Sequence, residues 1–328
     1  MRKMTLALFC FAAVTCMIFG ASLAASAAYP TKQITVTQGH KPGGGSDGMY
    51  QLTRPYMEKY LNTSVICQYL PGAAGAINWT KVARTAKADG YAIVVSITPL
   101  IQTNYIMNPE LDYRLSDYEP LVNVITDPAV VVVNGDSPYK TMQDLMAAMK
   151  EKPGFITVGN SGTGSDDYFA TLRFEDSTGL RVQKIPFEGD APSYLAVLGK
   201  KIDASMNNLG VTYPQVKEGN LRILAVFSEE RNSLIPDVPT GKELGIDVIV
   251  GASRGYSAPK GLPADVKKTL LDAFRKIAAD PDFIKDCAQR NYPINMLYDE
   301  EYKKLLYDDE TIYTRIWGEL QRQEGLKK

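Results

Sequence analysis

Two stretches of this chain repeat one another. Ile34-Thr35-Val36 leads within a few residues to Gly43-Gly44-Gly45-Ser46-Asp47, and Ile156-Thr157-Val158 leads to Gly162-Thr163-Gly164-Ser165-Asp166, about 120 residues further on. Each reads as a strand, a glycine loop, Ser-Asp and then a helix, with Met49, Leu52, Tyr56 and Tyr60 marking the first helix and Tyr168 and Leu172 the second. Glycines let the backbone turn sharply and approach a ligand closely. The first turn of a helix presents unpaired N–H groups and the positive end of the dipole. Together these make an anion site that needs no Lys or Arg. A single glycine turn is as commonly structural in α/β proteins; the matched pair is what points to a ligand. Each helix end contributes about 0.3–1 kcal/mol when exposed and up to about 2 when partly buried. Two such ends facing each other would grip a short diacid, for which micromolar binding needs about 8 kcal/mol in all.

The rest of the chain alternates strand-like and helix-like segments, as in an α/β fold with parallel sheets. Besides the two units, Ala92-Ile93-Val94-Val95, Val130-Val131-Val132-Val133 and Ile223-Leu224-Ala225-Val226 read as buried strands. Thr141 to Met149 places Met142, Leu145, Met146 and Met149 on one helical face. Val266, Leu270, Phe274 and Ile277 do the same after Pro263, and Asp280-Pro281 closes that helix. Pro55 lacks a backbone donor and is expected to kink the first helix or delay its start.

The opening segment does not belong to this core. Arg2 and Lys3 precede an apolar run from Leu6 to Phe19, and small residues lead to Ala25-Ser26-Ala27-Ala28. This pattern predicts a secretory signal peptide over residues 1–28. The rival reading, a membrane anchor, needs about 20 apolar residues. Cys10 and Cys16 leave with the signal; Cys67 and Cys287 remain, either paired or as buried thiols, and the latter is the expectation. Without Arg2 and Lys3 the 36 basic residues become 34 against 37 acidic ones. No basic patch marks a nucleic-acid partner.

The chain has one histidine, His40. That leaves too few imidazoles for a His-based metal cluster and too few thiols for a cysteine site. No G-x-S-x-G elbow and no phosphate loop of the G-x-x-x-x-G-K-[ST] type occurs. The expectation is a binding protein and not an enzyme, with no catalytic residue, metal or cofactor.

Further motifs complete a pattern. Lys41-Pro42 precedes the first loop; Leu70-Pro71-Gly72-Ala73-Ala74-Gly75-Ala76 makes another glycine turn, followed by Ala88-Asp89-Gly90-Tyr91. After the second loop come Ile185-Pro186-Phe187-Glu188-Gly189-Asp190-Ala191-Pro192, Leu198-Gly199-Lys200-Lys201-Ile202-Asp203, Ile235-Pro236-Asp237-Val238-Pro239-Thr240 and Ala258-Pro259-Lys260-Gly261. In order and spacing these resemble the substrate-binding receptors of tripartite tricarboxylate transporters, also called Bug receptors. The resemblance implies a two-lobed periplasmic-binding-protein fold, type II-like, with two crossing strands. Lobe I is then expected at residues 29–127 and 229–328 and lobe II at 128–228, with the last helices packing across both. It implies a periplasmic monomer that passes a small carboxylate (a di- or tricarboxylate, an aromatic acid or an amino acid) to large and small membrane permease subunits. The alternative within the family is a sensor for a signalling partner.

The candidate ligand-binding residues are Gly43, Gly44, Gly45, Ser46, Asp47 and Thr98 on one lobe and Ser161, Gly162, Thr163, Gly164, Ser165, Asp166, Asp167 and Asn208 on the other. Asp47 and Asp166 also suit helix capping. Asp167 has no counterpart in the first loop, where Gly48 stands. It either sits in a solvated first turn or meets an ammonium or hydroxyl group on the ligand. The family's usual His three residues after the second-loop Ser is replaced by Tyr168. Arg254 is either a surface ion pair or a carboxylate clamp. Specificity is therefore expected on the second lobe.

Overall fold

The computed structural model describes residues 29–43, 45–187 and 189–323. The expected signal peptide, residues 1–28 with Cys10 and Cys16, lies outside the described residues, as does Gly44 of the first loop. The chain begins β1 (Ile34–Gln38), α1 (Gly45–Leu61), β2 (Val65–Tyr69), α2 (Ala76–Thr85), β3 (Ala92–Ile97), α3 (Leu100–Met107) and the long β4 (Tyr118–Asn134). Then follow α4 (Met142–Glu151), β5 (Thr157–Asn160), α5 (Asp166–Thr178), β6 (Gln183–Pro186), α6 (Asp190–Leu198), β7 (Ala204–Asn208), α7 (Leu209–Lys217) and β8 (Leu221–Val226). The last elements are β9 (Gly251–Pro259), α8 (Ala264–Ala278), α9 (Pro281–Gln289), β10 (Ile294–Tyr298) and α10 (Glu300–Gln323).

The fold is a two-lobed α/β fold whose sheets meet on β4. The first half of β4 pairs antiparallel with β9 and β10, and β9 continues through β3 and β1 to β2. Its second half, from Ala129, pairs with β7 and β8, and β7 continues to β5 and β6. The four valines of β4 account for this continuity. Val131 and Val133 face one apolar cluster of the second sheet and Val130 and Val132 the other, as a period of two demands of a strand buried on both faces. A second crossing follows β8, where Phe227 and Val250 bond to Ala129 and to each other. Parallel pairing holds for β1 with β2 and β3, and for β5 with β6 and β7. Pairing is antiparallel between β4 and each of β7, β8, β9 and β10, and between β3 and β9.

Helix α1 starts at Gly45 and runs through Pro55 without a delayed start. Pro55 and Gln51, whose carbonyl it leaves without a donor, are both exposed, so water serves the freed group. Thr141 caps α4 by accepting from the Asp144 N–H, and Asp280 caps α9 with Pro281 at its first position, where a missing N–H costs nothing. Helix α10 carries Tyr313 and Ile316 onto Tyr168, Phe169 and Leu172 of α5, while Tyr302 and Leu306 join the core of the first lobe. It therefore packs across both lobes. Cys67 and Cys287 are unpaired thiols, and burial pushes that of Cys287 up to about 12.

Candidate functional site

The two crossing strands place one arginine between the glycine loops. Arg254 on β9 is paired with Ile97 of β3 and Ile125 of β4, and it is 7% exposed. Its Nη2 donates to Asn208 Oδ1 at 3.3 Å, and Nη1 lies 3.8 Å from Asp127 Oδ2. Asn208 stands at the end of β7, so the first contact spans the lobes. A guanidinium has five N–H donors, and among the described residues this one makes a single hydrogen bond. Arg254 is buried, and is not a surface ion pair.

On the first lobe, Asp47 accepts from the Gly43 N–H at 2.8 Å, the Tyr69 hydroxyl at 2.6 Å, and the amides of Gln51 and Gln38 at 3.3 and 3.5 Å. Burial opposes its charge, but these donors hold the carboxyl below its ordinary value. Asp47 therefore pins the loop. Gly45 faces Arg254: a Cβ there would lie 3.1 Å from the guanidinium. Ser46 is buried beside it. Thr98 bonds β9 one residue before the arginine, accepting from the Ser253 N–H at 3.2 Å. His40 lies against Trp79 and its Nδ1 is buried without a partner. Burial first and then the Arg254 charge lower its pKa, so it is neutral at pH 7.

On the second lobe the same sequence pattern makes a different site. Gly162 N–H donates to Asn160 Oδ1, Thr163 is exposed, and Ser165 caps α5 by accepting from the Tyr168 N–H. Gly164, at φ +92°, turns its carbonyl to the Thr103 hydroxyl of α3 at 2.9 Å, a second bond between the lobes. Ser161 is half-buried at the mouth of the loop, beside Asp167. Asp166 accepts from Asn208 Nδ2 at 2.6 Å. Asp167 is 0% exposed, and neither of its oxygens has a hydrogen-bond partner among the described residues. That removes the reading of Asp167 as part of a solvated first turn.

Two acids that the sequence did not single out complete the cluster. Asp127 of β4 accepts from the Gly210 N–H at 2.9 Å, and Asp190 opens α6, bonded by Asn207. Burial, above all, raises Asp127 and Asp166 to about 6, with Asp190 adding like charge to both and Arg254 working the other way. Burial followed by Asp166 and Asp190 raises Asp167 further. The glycines of the second loop therefore stand beside a cluster of buried carboxyls. Tyr292 was also missed: its hydroxyl lies 1.9 Å from where a Gly48 Cβ would stand, which explains why the first loop has glycine where the second has Asp167.

A cavity of about 710 Å³ lies on the other face of the crossing strands. Thr126, Pro128, Gly251 and Ser253 line it, alternating with Asp127 and Arg254, which face the loops. Its arginine, Arg231, is already held by Glu243 and the Pro236 carbonyl. No cluster of metal-ligating side chains occurs among the described residues, and no helix among them is long and apolar enough to cross a membrane.

Two lobes joined by crossing strands, with a buried arginine and two loops at the joint, define a solute-binding receptor of the periplasmic type. The chain belongs to the tripartite tricarboxylate transporter receptor family, whose profile matches residues 51–321. A UPF0065 protein from Cupriavidus necator is 30% identical over 261 residues, 80% of this chain and 79% of the relative. Protein BugT of Bordetella pertussis is 30% identical over 270 residues, 77% of this chain and 82% of its own. Among solved structures, a TctC solute-binding protein from Polaromonas superposes with a TM-score of 0.79 at 30% identity, covering 89% of this chain and all of that one. The periplasmic binding protein BugD superposes at 0.74 with 26% identity, covering 92% of this chain and all of its own. The family is one of receptors and these solved relatives are binding proteins, and the protein is not an enzyme.

Proposed function

We propose that this protein is an extracytoplasmic receptor that captures a small organic carboxylate between its lobes and delivers it to a membrane permease of one large and one small subunit. The observation that carries the reading is Arg254, buried between both glycine loops with most of its donors meeting no acceptor among the described residues. A carboxylate seated there would bond the guanidinium bidentately and meet the first turn of α1 at Gly45 and Ser46. Asp47 holds that turn in shape, and Thr98 and Asn208 hold the arginine. Residues 29–127 with 229–328 serve as lobe I and 128–228 as lobe II, a division that the change of partners along β4 supports. Export would follow from the signal segment, and the receptor would act as a monomer. Two proteins of the same fold, MatC of Rhodopseudomonas palustris with bound malate and Rpa4515 with adipate, hold carboxylates, at identities where only the fold is shared.

The test is a thermal-shift screen of the purified protein against di- and tricarboxylates, aromatic acids and amino acids. A ligand at 100 times its Kd raises stability by about 2.7 kcal/mol, a readily measured shift. Flat melting curves across the panel would overturn the proposal.

A further inference from the structure

The acids of the second loop do not suit an all-anionic ligand. Asp167 is fully buried, and neither oxygen meets a donor in full hydrogen-bond geometry among the described residues; a polar atom in that condition is costly until something bonds it. The Ser161 hydroxyl beside it eases its charge, but the Asp190 carboxyl approaches it closely, and Asp166 and Asp190 both add like charge. The cluster holds four carboxyls, at Asp127, Asp166, Asp167 and Asp190, against the single guanidinium of Arg254. His40 offers no compensating charge.

We propose that the ligand is a small amino-acid-like zwitterion, its carboxylate on Arg254 and the first loop and its protonated amine on Asp167, with Asp166 and Asp190 around it. Arg254 and Asp166 bond opposite ends of one amide, that of Asn208, at 3.3 and 2.6 Å. The anion and cation sites therefore lie within the length of a small molecule. A protonated amine supplies the N–H donors that the Asp167 oxygens lack, whereas a second carboxylate supplies only acceptors and like charge. The asymmetry of the loops agrees, because Gly48 replaces the acid on the first lobe and Tyr292 fills its place. The inference rests on the carboxylate-receptor reading and narrows it.

The competing arrangement is a protonated cluster whose acid O–H groups donate to the second carboxylate of a diacid. The two differ in proton balance. Asp166 on the same helix, Asp190 from α6 and Ser161 of the loop face Asp167; Arg254 from β9 and Tyr313 from α10 face Asp166, and Asp127 from β4 faces Arg254 and Asp190. A bound ammonium lowers the pKa of Asp167 and releases protons; a bound diacid raises it and takes them up.

Titration calorimetry of the intact protein with matched pairs decides between them: aspartate with succinate, glutamate with glutarate, 6-aminohexanoate with hexanoate, phenylalanine with 3-phenylpropionate. In at least one pair the amine-bearing member should bind about 100-fold tighter or more, and runs in buffers of different ionisation enthalpy should show proton release. Asp167→Asn should bring that ratio down to within about threefold while the protein keeps its melting transition, and Asp190→Asn should lower it partially. Equal or tighter binding of the acid lacking an amine, with proton uptake, overturns the zwitterion and leaves the carboxylate receptor standing. Binding of neither member of any pair overturns both readings. Full discrimination retained by both variants overturns the assignment of the amine to this cluster.

Discussion

At the scale of single residues the cleft is governed by one cation set among acids. Replacing Arg254 with Gln should remove the carboxylate contact and leave Asp127 without its counter-charge. The cost of truncating one partner of a buried charge pair is about 2–5 kcal/mol, so ligand affinity should fall by about 30-fold or more, measured by calorimetry. The acids give a second expectation. Asp127 and Asp166 titrate at about 6 in the fold, and Asp167 above its ordinary value, against about 3.9 in an unfolded chain. A raised folded value means that the folded state holds protons more tightly. Its stabilising contribution is complete below about pH 4 and is lost as pH rises through about 6. Asp167→Asn should therefore raise the melting temperature of the ligand-free protein at pH 7.5 and change it little at pH 4. An equal gain at both pH values would show that charge is not the cause.

At the scale of elements, the two helix starts separate binding from stability. A methyl group at Gly45 would press on the Arg254 guanidinium, which must move aside. Alanine is otherwise the better helix former by about 0.5–1 kcal/mol. Gly45→Ala should weaken ligand binding about tenfold while leaving the melting temperature unchanged or slightly higher. Thr141→Ala at the start of α4, far from the cleft, should do the reverse. Loss of that cap costs about 1 kcal/mol, visible as a lower denaturant midpoint with the ligand-induced shift intact. A variant that moved both readouts together would contradict the division of labour.

At the scale of the whole molecule, hydrogen bonds tie the lobes across the site, among them Arg254 to Asn208, the Gly210 N–H to Asp127, and the Thr103 hydroxyl to the Gly164 carbonyl. The last lies outside the acid cluster and tests closure separately. Thr103→Val keeps the shape but leaves the carbonyl without its donor, a change of about 1 kcal/mol. Ligand affinity should fall about fivefold through faster dissociation, which stopped-flow fluorescence can follow. Helix α10 packs on both lobes.

Much of this was legible in the chain itself. The glycine loops, the helical face from Met142 to Met149, the buried valines of β4 and the scarcity of histidine are local signals, because turn geometry and periodicity depend on neighbours a few residues apart. Membership of the family followed from the order of such signals along the chain. The antiparallel strands β9 and β10 and the character of the second loop were not legible in this way. Asp167 looked equally like a solvated helix start or a ligand contact, and only packing against β7, α6 and α10 buried it. Asp127 and Asp190 stand about 40 and 20 residues from it in sequence, and nothing local marks them as its neighbours. Sequence determined where the two glycine loops lie, because backbone conformation is a local property. Tertiary structure decided which charges surround them, because electrostatic environment is set by groups that the fold brings together from distant parts of the chain.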